Sequence, residues 1–174
     1  MSKAVLALAF IFPLVCMMPA SKAEYFSNLR GENAVDTQKA SAQAFVAISE
    51  LMIGLSQLEL QNDAEAKMRF ATAIATLKEA AKQFQALAEK NANVILESKF
   101  PDAAAQLTQT MGVDANRIAT VGDVFVLTYL ALMTTADVLE NFANEPTSDQ
   151  YTAVRKSIDK MLRAGDLSSK LLQQ

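Results

Sequence analysis

Between residues 67 and 88, apolar side chains recur every three or four positions, which is the period of an α-helix. Lys67 is the exception on this stripe, and the apolar positions are Phe70, Ile74, Leu77, Ala81, Phe84 and Ala88. A polar stripe follows the same spacing on another face: Lys78, Lys82, Gln85 and Glu89. The pattern predicts an amphipathic helix over residues 64–90, with Asp63 as its N-cap.

A second amphipathic stripe precedes the first and predicts a helix over residues 37–61, with Asp36 as its N-cap. Its core positions are Ala44, Ile48, Leu51, Leu55 and Leu58. Gly54 inside this helix costs up to about 1 kcal/mol relative to Ala, so we expect it to allow close approach of a neighbouring helix. Because only Asn62-Asp63 separates the two helices, they are expected to pair as an antiparallel hairpin.

The connection over residues 91–117 is ambiguous. Residues 94–96 (VIL) are apolar and would allow the preceding helix to continue, although two asparagines weaken it. Pro101 suits the first turn of a short helix through Met111, and Gly112 suits its end. A functional loop would also fit most easily here.

The third long helix is predicted to start at Asp114 or after Thr120 and to end near Asn144. Its centre, residues 124–133, is apolar all round. Ten residues are too few to span a bilayer, so we expect a helix that is buried on most sides.

Thr147 with Gln150 three residues later is a capping box, which opens the last helix. Its predicted core positions are Tyr151, Val154, Ile158, Met161 and Leu162, and Gly165-Asp166 is expected to end or kink it before Leu171. The whole pattern predicts an all-α fold. We expect an antiparallel four-helix bundle with a short extra helix in the connection between the second and third long helices.

The N-terminus has the pattern of a secretory signal. Lys3 supplies a positive start, residues 4–15 are apolar, and residues 21–23 (SKA) place small side chains around a cleavage site. We therefore predict a cleaved signal peptide over residues 1–23 and a single helical-bundle domain over residues 24–174.

Three alternatives to this cleavage are weaker. An uncleaved anchor over residues 4–20 would be at the low limit of bilayer length and would contain Pro13. Cleavage after Ala20 would put a methionine at a position that prefers small residues. Lipidation at Cys16 would require a small residue where Val15 stands.

Signal removal would also take away Cys16, the only cysteine, so the mature chain would have no disulfide. The chain contains no N-x-S/T sequon either. Both observations favour a bacterial periplasm or cell exterior. Loss of Lys3 and Lys22 changes the net charge from −3 to −5, which argues against a nucleic-acid partner.

The first candidate site is a polar group inside the apolar third helix: Thr128, Tyr129, Thr134, Thr135 and Asp137. A buried aspartate beside hydroxyl groups can line a ligand pocket between helices. The favoured alternative is that the threonines donate to carbonyls of their own helix and that Asp137 faces water.

The second candidate site is the basic run of the last helix: Arg155, Lys156, Lys160 and Arg163. A basic helix can bind anionic lipid, phosphate or an acidic partner. The favoured alternative is a solvated face balanced by Asp159 and Asp166, because the mature chain is acidic overall.

The sequence argues against an enzyme. It has no histidine, which excludes Ser-His-Asp and Cys-His catalysis and imidazole metal ligands. No pair of carboxylates falls on a predicted core face, and the five methionines of the mature chain lie 16 or more residues apart. We therefore predict no catalytic residue, no metal site and no cofactor.

These observations favour an exported, non-enzymatic helical-bundle protein that binds a protein partner or associates with itself. It would have no transmembrane segment after signal cleavage. The alternative is a small-molecule-binding or sensing module, with a pocket between helices near residues 128–137.

Overall fold

The computed structural model describes Leu29 and residues 31–173, and this part of the chain is 80% helical and contains no β-strand. Its helices are α1 (Ala34–Glu59), α2 (Asp63–Lys90), α3 (Pro101–Met111), α4 (Val121–Asn144) and α5 (Ser148–Leu171). The prediction of an all-α fold is confirmed, and a short helix does lie between the second and third long helices. The predicted signal peptide over residues 1–23 lies outside the described residues.

The helices bury their apolar stripes in one hydrophobic core. α1 packs along α2, α2 along α4, and α4 along α5, while α3 packs against α5. The rings of Phe70, Phe142 and Tyr151 connect α2, α4 and α5, with centroid distances of 5.6 and 6.1 Å. This packing is consistent with a helical bundle.

The N-terminus of α1 differs from the prediction. The helix begins at Ala34 and its N-cap is Asn33, so the prediction that Asp36 caps it is wrong. Asp36 lies in the first turn instead, where a negative charge favours the helix dipole. The Asn33 amide donates to Asn91 Oδ1 at 2.7 Å, which ties the start of α1 to the end of α2.

The turn between α1 and α2 covers residues 60–62. Gln61 adopts a left-handed conformation with φ of 58°. Asn62 accepts a hydrogen bond from the Glu65 N–H at 3.4 Å and is the N-cap of α2. The prediction that Asp63 caps this helix is therefore wrong, because α2 begins one residue earlier than expected.

Gly54 allows the close approach that the sequence predicted. A Cβ atom at this position would lie 2.6 Å from the Phe70 ring. The ring therefore packs directly on the backbone of α1, and any side chain at residue 54 would displace it.

The connection after α2 does not continue that helix. An isolated antiparallel bridge pairs Ile95 with Thr120, and the Val121 N–H donates to the Val94 carbonyl at 2.8 Å. Pro101 begins α3 and Gly112, with φ of 71°, ends it, as predicted.

Of the two predicted starts for α4, the structure has the later one. Thr120 and Asp123 form a capping box, in which the Thr120 hydroxyl accepts from the Asp123 N–H at 3.1 Å. The other candidate, Asp114, instead caps a 3₁₀ turn over Ala115–Arg117 by accepting from the Asn116 N–H at 3.0 Å.

The Asp123 carboxylate makes stability depend on pH. Burial alone would raise the pKa of Asp123, but hydrogen bonds from the backbone N–H groups of Ala119 and Thr120 and from the Thr120 hydroxyl lower it below its ordinary value of 3.8. Its stabilising contribution is therefore fully present above that ordinary value and is lost as the pH falls through the lower folded-state value.

We expect Asp123→Asn to reduce the free energy of unfolding by about 1 kcal/mol at neutral pH, because the charged end of the capping box is lost. The difference from the unmodified protein should shrink at about pH 3. Urea unfolding at both pH values measures it, and Asp137→Asn, an exposed position on the same helix, is the control. A difference that is unchanged by pH would contradict this role.

The capping box of α5 is confirmed. Thr147 accepts from the Gln150 N–H and the Gln150 side chain accepts from the Thr147 N–H, both at 3.2 Å. Gly165-Asp166 does not end α5, since the helix continues to Leu171 and an Asp166–Lys170 ion pair at 3.0 Å spans that turn. The other expectation, a kink at these residues, stays a prediction.

One helix in the described part of the chain, α4, is long and apolar enough to cross a membrane by length and composition alone. Of its most apolar 18-residue window, 56% is buried inside the fold. Because α4 packs against both α2 and α5, this burial accounts for its apolar sequence.

Candidate functional site

Apolar side chains are exposed on the outer side of the α1–α2 pair. Val46 is 53% exposed, Ile53 40%, Leu60 72% and Met68 52%. Val46, Ile53 and Leu60 are spaced by seven residues along α1 and the start of the turn, so they form one line on the helix surface. Below, the name hairpin face refers to these four residues and to exposed Thr72 of α2, five residues in all.

An ion cluster lies along the seam between the two helices. Arg69 of α2 donates to Glu50 of α1 at 3.0 Å and to Glu65 of its own helix at 2.8 Å. The hydrogen bond to Glu50, followed by that to Glu65, raises the pKa of Arg69, so the guanidinium stays charged. The cluster has two carboxylates and one guanidinium, so it keeps a net charge of −1.

The hairpin face surrounds this cluster. Val46 and Ile53 are four residues before and three after Glu50, which puts them beside it on the helix surface. Thr72 is three residues after Arg69, which puts it beside Arg69 on the surface of α2. Between residues 40 and 60, the only charged side chains are Glu50, which is paired, and Glu59. Over these roughly 30 Å, α1 therefore has only two charged side chains, both of them acidic.

Other exposed apolar side chains have charged neighbours. Val126 and Leu130 on α4 are 42% and 39% exposed, and they lie between Asp123 and Asp137 on that helix. Val94, Ile95 and Phe100 are exposed in the connection before α3. Neither group forms a line as long as that of Val46, Ile53 and Leu60.

A narrow apolar groove separates α1 from α5. Its cavity volume is about 40 Å³. It is lined chiefly by apolar side chains, together with Thr128, Ser41 and Gly165; the apolar ones are Ala44, Phe45, Ile48, Phe84, Leu132, Met161 and Leu162. This volume suffices for a few water molecules, whereas pockets for drug-sized ligands hold roughly 300–1,000 Å³.

The structure does not bring together the five residues of the predicted pocket. Thr128 and Thr135 are buried, Tyr129 is partly buried, and Thr134 and Asp137 are exposed. Among them, only Thr128 lines the groove. The remaining four are distributed around α4, so a ligand-binding role for the set stays a prediction.

The two buried threonines form hydrogen bonds across the α4–α5 interface. Thr128 donates to the Val124 carbonyl at 3.1 Å and lies 2.9 Å from Ser168 Oγ. Thr135 donates to the Ala131 carbonyl at 2.8 Å and accepts from the Ser157 hydroxyl at 2.9 Å. Bonds from threonine to its own helix, one of the two sequence interpretations, are therefore present together with bonds to α5.

We expect Thr135→Val and Ser157→Ala each to lower the free energy of unfolding by about 1 kcal/mol, because each leaves a buried polar partner behind. The double variant should cost less than the sum, since both partners are then gone. Thermal unfolding of all four proteins measures this coupling, with exposed Thr134→Val as the control. Additive single effects would show that the bond contributes nothing.

The basic residues of α5 remain a surface set. Lys156 and Arg163 are exposed, and Arg155 and Lys160 are partly buried. Burial raises the pKa of neighbouring Tyr151, while the positive charge of Arg155 partly offsets this increase. Binding of an anionic surface by the four basic residues of α5 stays a prediction.

No group of three or more potential metal-binding side chains occurs among the residues that the structure describes. The methionines that the sequence assigned to apolar faces pack with the core: Met161 is buried, and Met52 and Met133 are partly buried against it. Met68, by contrast, is exposed on the hairpin face.

Sequence reasoning missed the hairpin face. The seven-residue spacing of Val46, Ile53 and Leu60 is visible in the sequence. The line lies nearly opposite the core stripe, because Val46 and Ile53 each stand two residues before a core position, about 200° around the helix. A second apolar line opposite the first would have been the signal.

The part of the chain that the structure describes is all-helical, and its α1–α2 pair exposes the apolar side chains of the hairpin face. No family model, no curated protein and no solved structure matches this chain.

Proposed function

We propose that this chain is an exported, non-enzymatic helical-bundle protein that acts by binding another protein or a copy of itself. The observation that carries the proposal is the hairpin face. Large contiguous apolar patches on protein surfaces mark association sites, and Val46, Ile53, Leu60 and Met68 are each at least 40% exposed. The pattern of residues 1–23 supports export to a bacterial periplasm or the cell exterior, with no membrane span remaining after cleavage.

We propose an antiparallel arrangement of the four long helices. Supporting contacts pair the start of one helix with the end of the next: Phe84 with Phe125, Phe70 with Phe142, and Arg69 with Glu50. The charge of Glu59, at the end of α1, also acts on Tyr151 at the start of α5. In this arrangement α1 and α2 share one outer side of the bundle, which is the hairpin face.

The test is chemical crosslinking in the cells of origin, followed by native mass spectrometry of the purified protein. We expect a higher-mass species for the unmodified chain that disappears in Val46→Lys/Ile53→Lys. The control Val126→Lys/Leu130→Lys, which adds the same charge on α4, should keep it. A bare monomer from every variant would contradict the proposal, and the monomer mass would test cleavage after Ala23.

A second candidate function, small-molecule binding, is favoured by one observation. The α1–α5 groove is apolar and reaches Thr128 of the predicted pocket. At about 40 Å³ it would have to widen to admit an organic ligand. A rise in melting temperature with an amphipathic ligand that is abolished in Ala44→Leu, which fills the groove, would support this candidate over the first.

A further inference from the structure

We infer that α5 is a movable helix. It separates as a unit from α1, α2 and α4, with residues 145–147 as the hinge, and this motion opens the α1–α5 groove. The structure shows the closed form, in which α3 holds α5 in place. The hairpin face lies on the α1–α2 pair, so the motion takes place whether or not a partner binds there.

The three helices that stay together are joined by contacts in which α5 takes no part. Asn91, at the end of α2, accepts a hydrogen bond from the Asn33 amide at the start of α1 at 2.7 Å. The Asn91 carbonyl accepts another from the Gly122 N–H of α4 at 3.1 Å. The rings of Phe84 in α2 and Phe125 in α4 are 6.1 Å apart. α1, α2 and α4 therefore keep their mutual contacts when α5 leaves.

The packing of α5 on these helices is less extensive than their packing on one another. α5 packs along α4 less extensively than α1 packs along α2, or α2 along α4. Toward α1 it borders the groove of about 40 Å³ and makes few close contacts. Because fewer atoms are in van der Waals contact across these two sides, separation of α5 loses less attraction than separation of α1 or α2.

The buried face of α5 is also less apolar than that of α2. Three of its nine buried residues are serines, namely Ser157, Ser168 and Ser169, whereas all nine buried residues of α2 are apolar. The hydroxyl groups of Ser157 and Ser168 lie 2.9 Å from those of Thr135 and Thr128 of α4, respectively. On separation these hydroxyl groups regain hydrogen bonds to water, so their net loss is small. The exposure of apolar surface costs more, and α2 would expose more of it.

α3 supplies the remaining contact that keeps α5 in the closed form. It packs against α5, and its Leu107 side chain is fully buried. The connection that contains α3 is fixed at its base, where the Leu96 N–H donates to the Ala119 carbonyl at 3.0 Å and the Val121 N–H to the Val94 carbonyl at 2.8 Å. α3 is therefore anchored to the end of α2 and the start of α4 and reaches from there to α5.

Hydrogen exchange of the purified protein, followed by mass spectrometry of its peptides, tests the inference. After correction for intrinsic rates, we expect amides of α5 to exchange at least about tenfold faster than those of α1, α2 and α4, because they need only the local opening. Leu107→Ala should speed the exchange of α5 at least about tenfold further, since it removes a contact of the closed form. Gln106→Ala, at an exposed position of α3, is the matched control and should change nothing.

A second variant distinguishes local opening from unfolding of the whole molecule. Phe125→Leu weakens the contact with Phe84, which is intact in both the closed and the open form. It should speed the exchange of α2 by about threefold to tenfold and leave that of α5 unchanged. Circular dichroism shows that each variant remains helical.

Three outcomes would overturn the inference. If Phe125→Leu speeds the exchange of α5 as much as that of α2, α5 opens only when the whole molecule unfolds. Equal protection of α5 and α2 in the unmodified protein would lead to the same conclusion. If Leu107→Ala leaves the exchange of α5 unchanged, α3 does not hold α5 in the closed form.

Discussion

Replacing Phe142 with alanine is expected to lower the free energy of unfolding by about 3–5 kcal/mol. The ring is buried and contacts Phe70 of α2 edge-on at 5.6 Å and Tyr151 of α5 at 6.1 Å. It therefore fills the space between three helices. Its removal takes away the transfer free energy of the ring and both aromatic contacts, and it leaves a cavity that rigid helices close poorly.

Urea unfolding followed by far-UV circular dichroism measures this loss. Phe142→Leu is the matched variant, because it keeps an apolar side chain at the same place and should cost less than half as much. Val126→Ala, which removes apolar atoms from an exposed position on the same helix, should change the free energy of unfolding by less than about 0.5 kcal/mol. A loss below about 1 kcal/mol for Phe142→Ala would show that this junction is not well packed.

The second large effect is expected at Gly122, in the first turn of α4. A Cβ atom there would lie 2.7 Å from the Ala88 carbonyl oxygen and 2.8 Å from Ala92 Cα. These are backbone atoms at the end of α2, which no rotamer change can move. Helix propensity alone would favour alanine by about 1 kcal/mol. We expect the clash to outweigh it, with a net loss of about 1–3 kcal/mol.

Thermal unfolding of Gly122→Ala decides between the two effects by the sign of the change. Gly54→Ala is the comparison, because its Cβ would meet the Phe70 ring, a side chain that has some freedom to shift. Gly54→Ala should therefore be the milder substitution. A Gly122→Ala protein more stable than the original would mean that α2 and α4 are farther apart at this end.

Much of the fold was predictable because helix periodicity is a local property. The stripe from Phe70 to Ala88 appears in the structure as the core face of α2. Asn62 ranks with Asp63 as a capping residue, so local sequence does not separate these two positions. The Asn33 side chain makes no capping hydrogen bond, and its amide donates to Asn91 instead, a tertiary contact that local sequence does not contain.

The candidate site was less predictable for a different reason. Exposure of Val46 and Ile53 depends on which helices cover α1, and that information is not contained in α1 itself. For the polar group of α4, by contrast, the sequence did contain the information that was needed. Thr128 and Thr135 are seven residues apart and share a face, whereas Thr134 and Asp137 lie on another side. Helical spacing alone would have separated the set.

The side chain and backbone of Asn91 have a consequence for how the molecule opens. Its Oδ1 accepts from Asn33 at the start of α1, its Nδ2 donates to Leu87 in α2 at 2.7 Å, and its carbonyl accepts from the Gly122 N–H in α4 at 3.1 Å. Three helix termini that are distant in sequence thus meet at one residue. We therefore expect these three helix ends to unfold together, so that their amide protons exchange with solvent at similar rates.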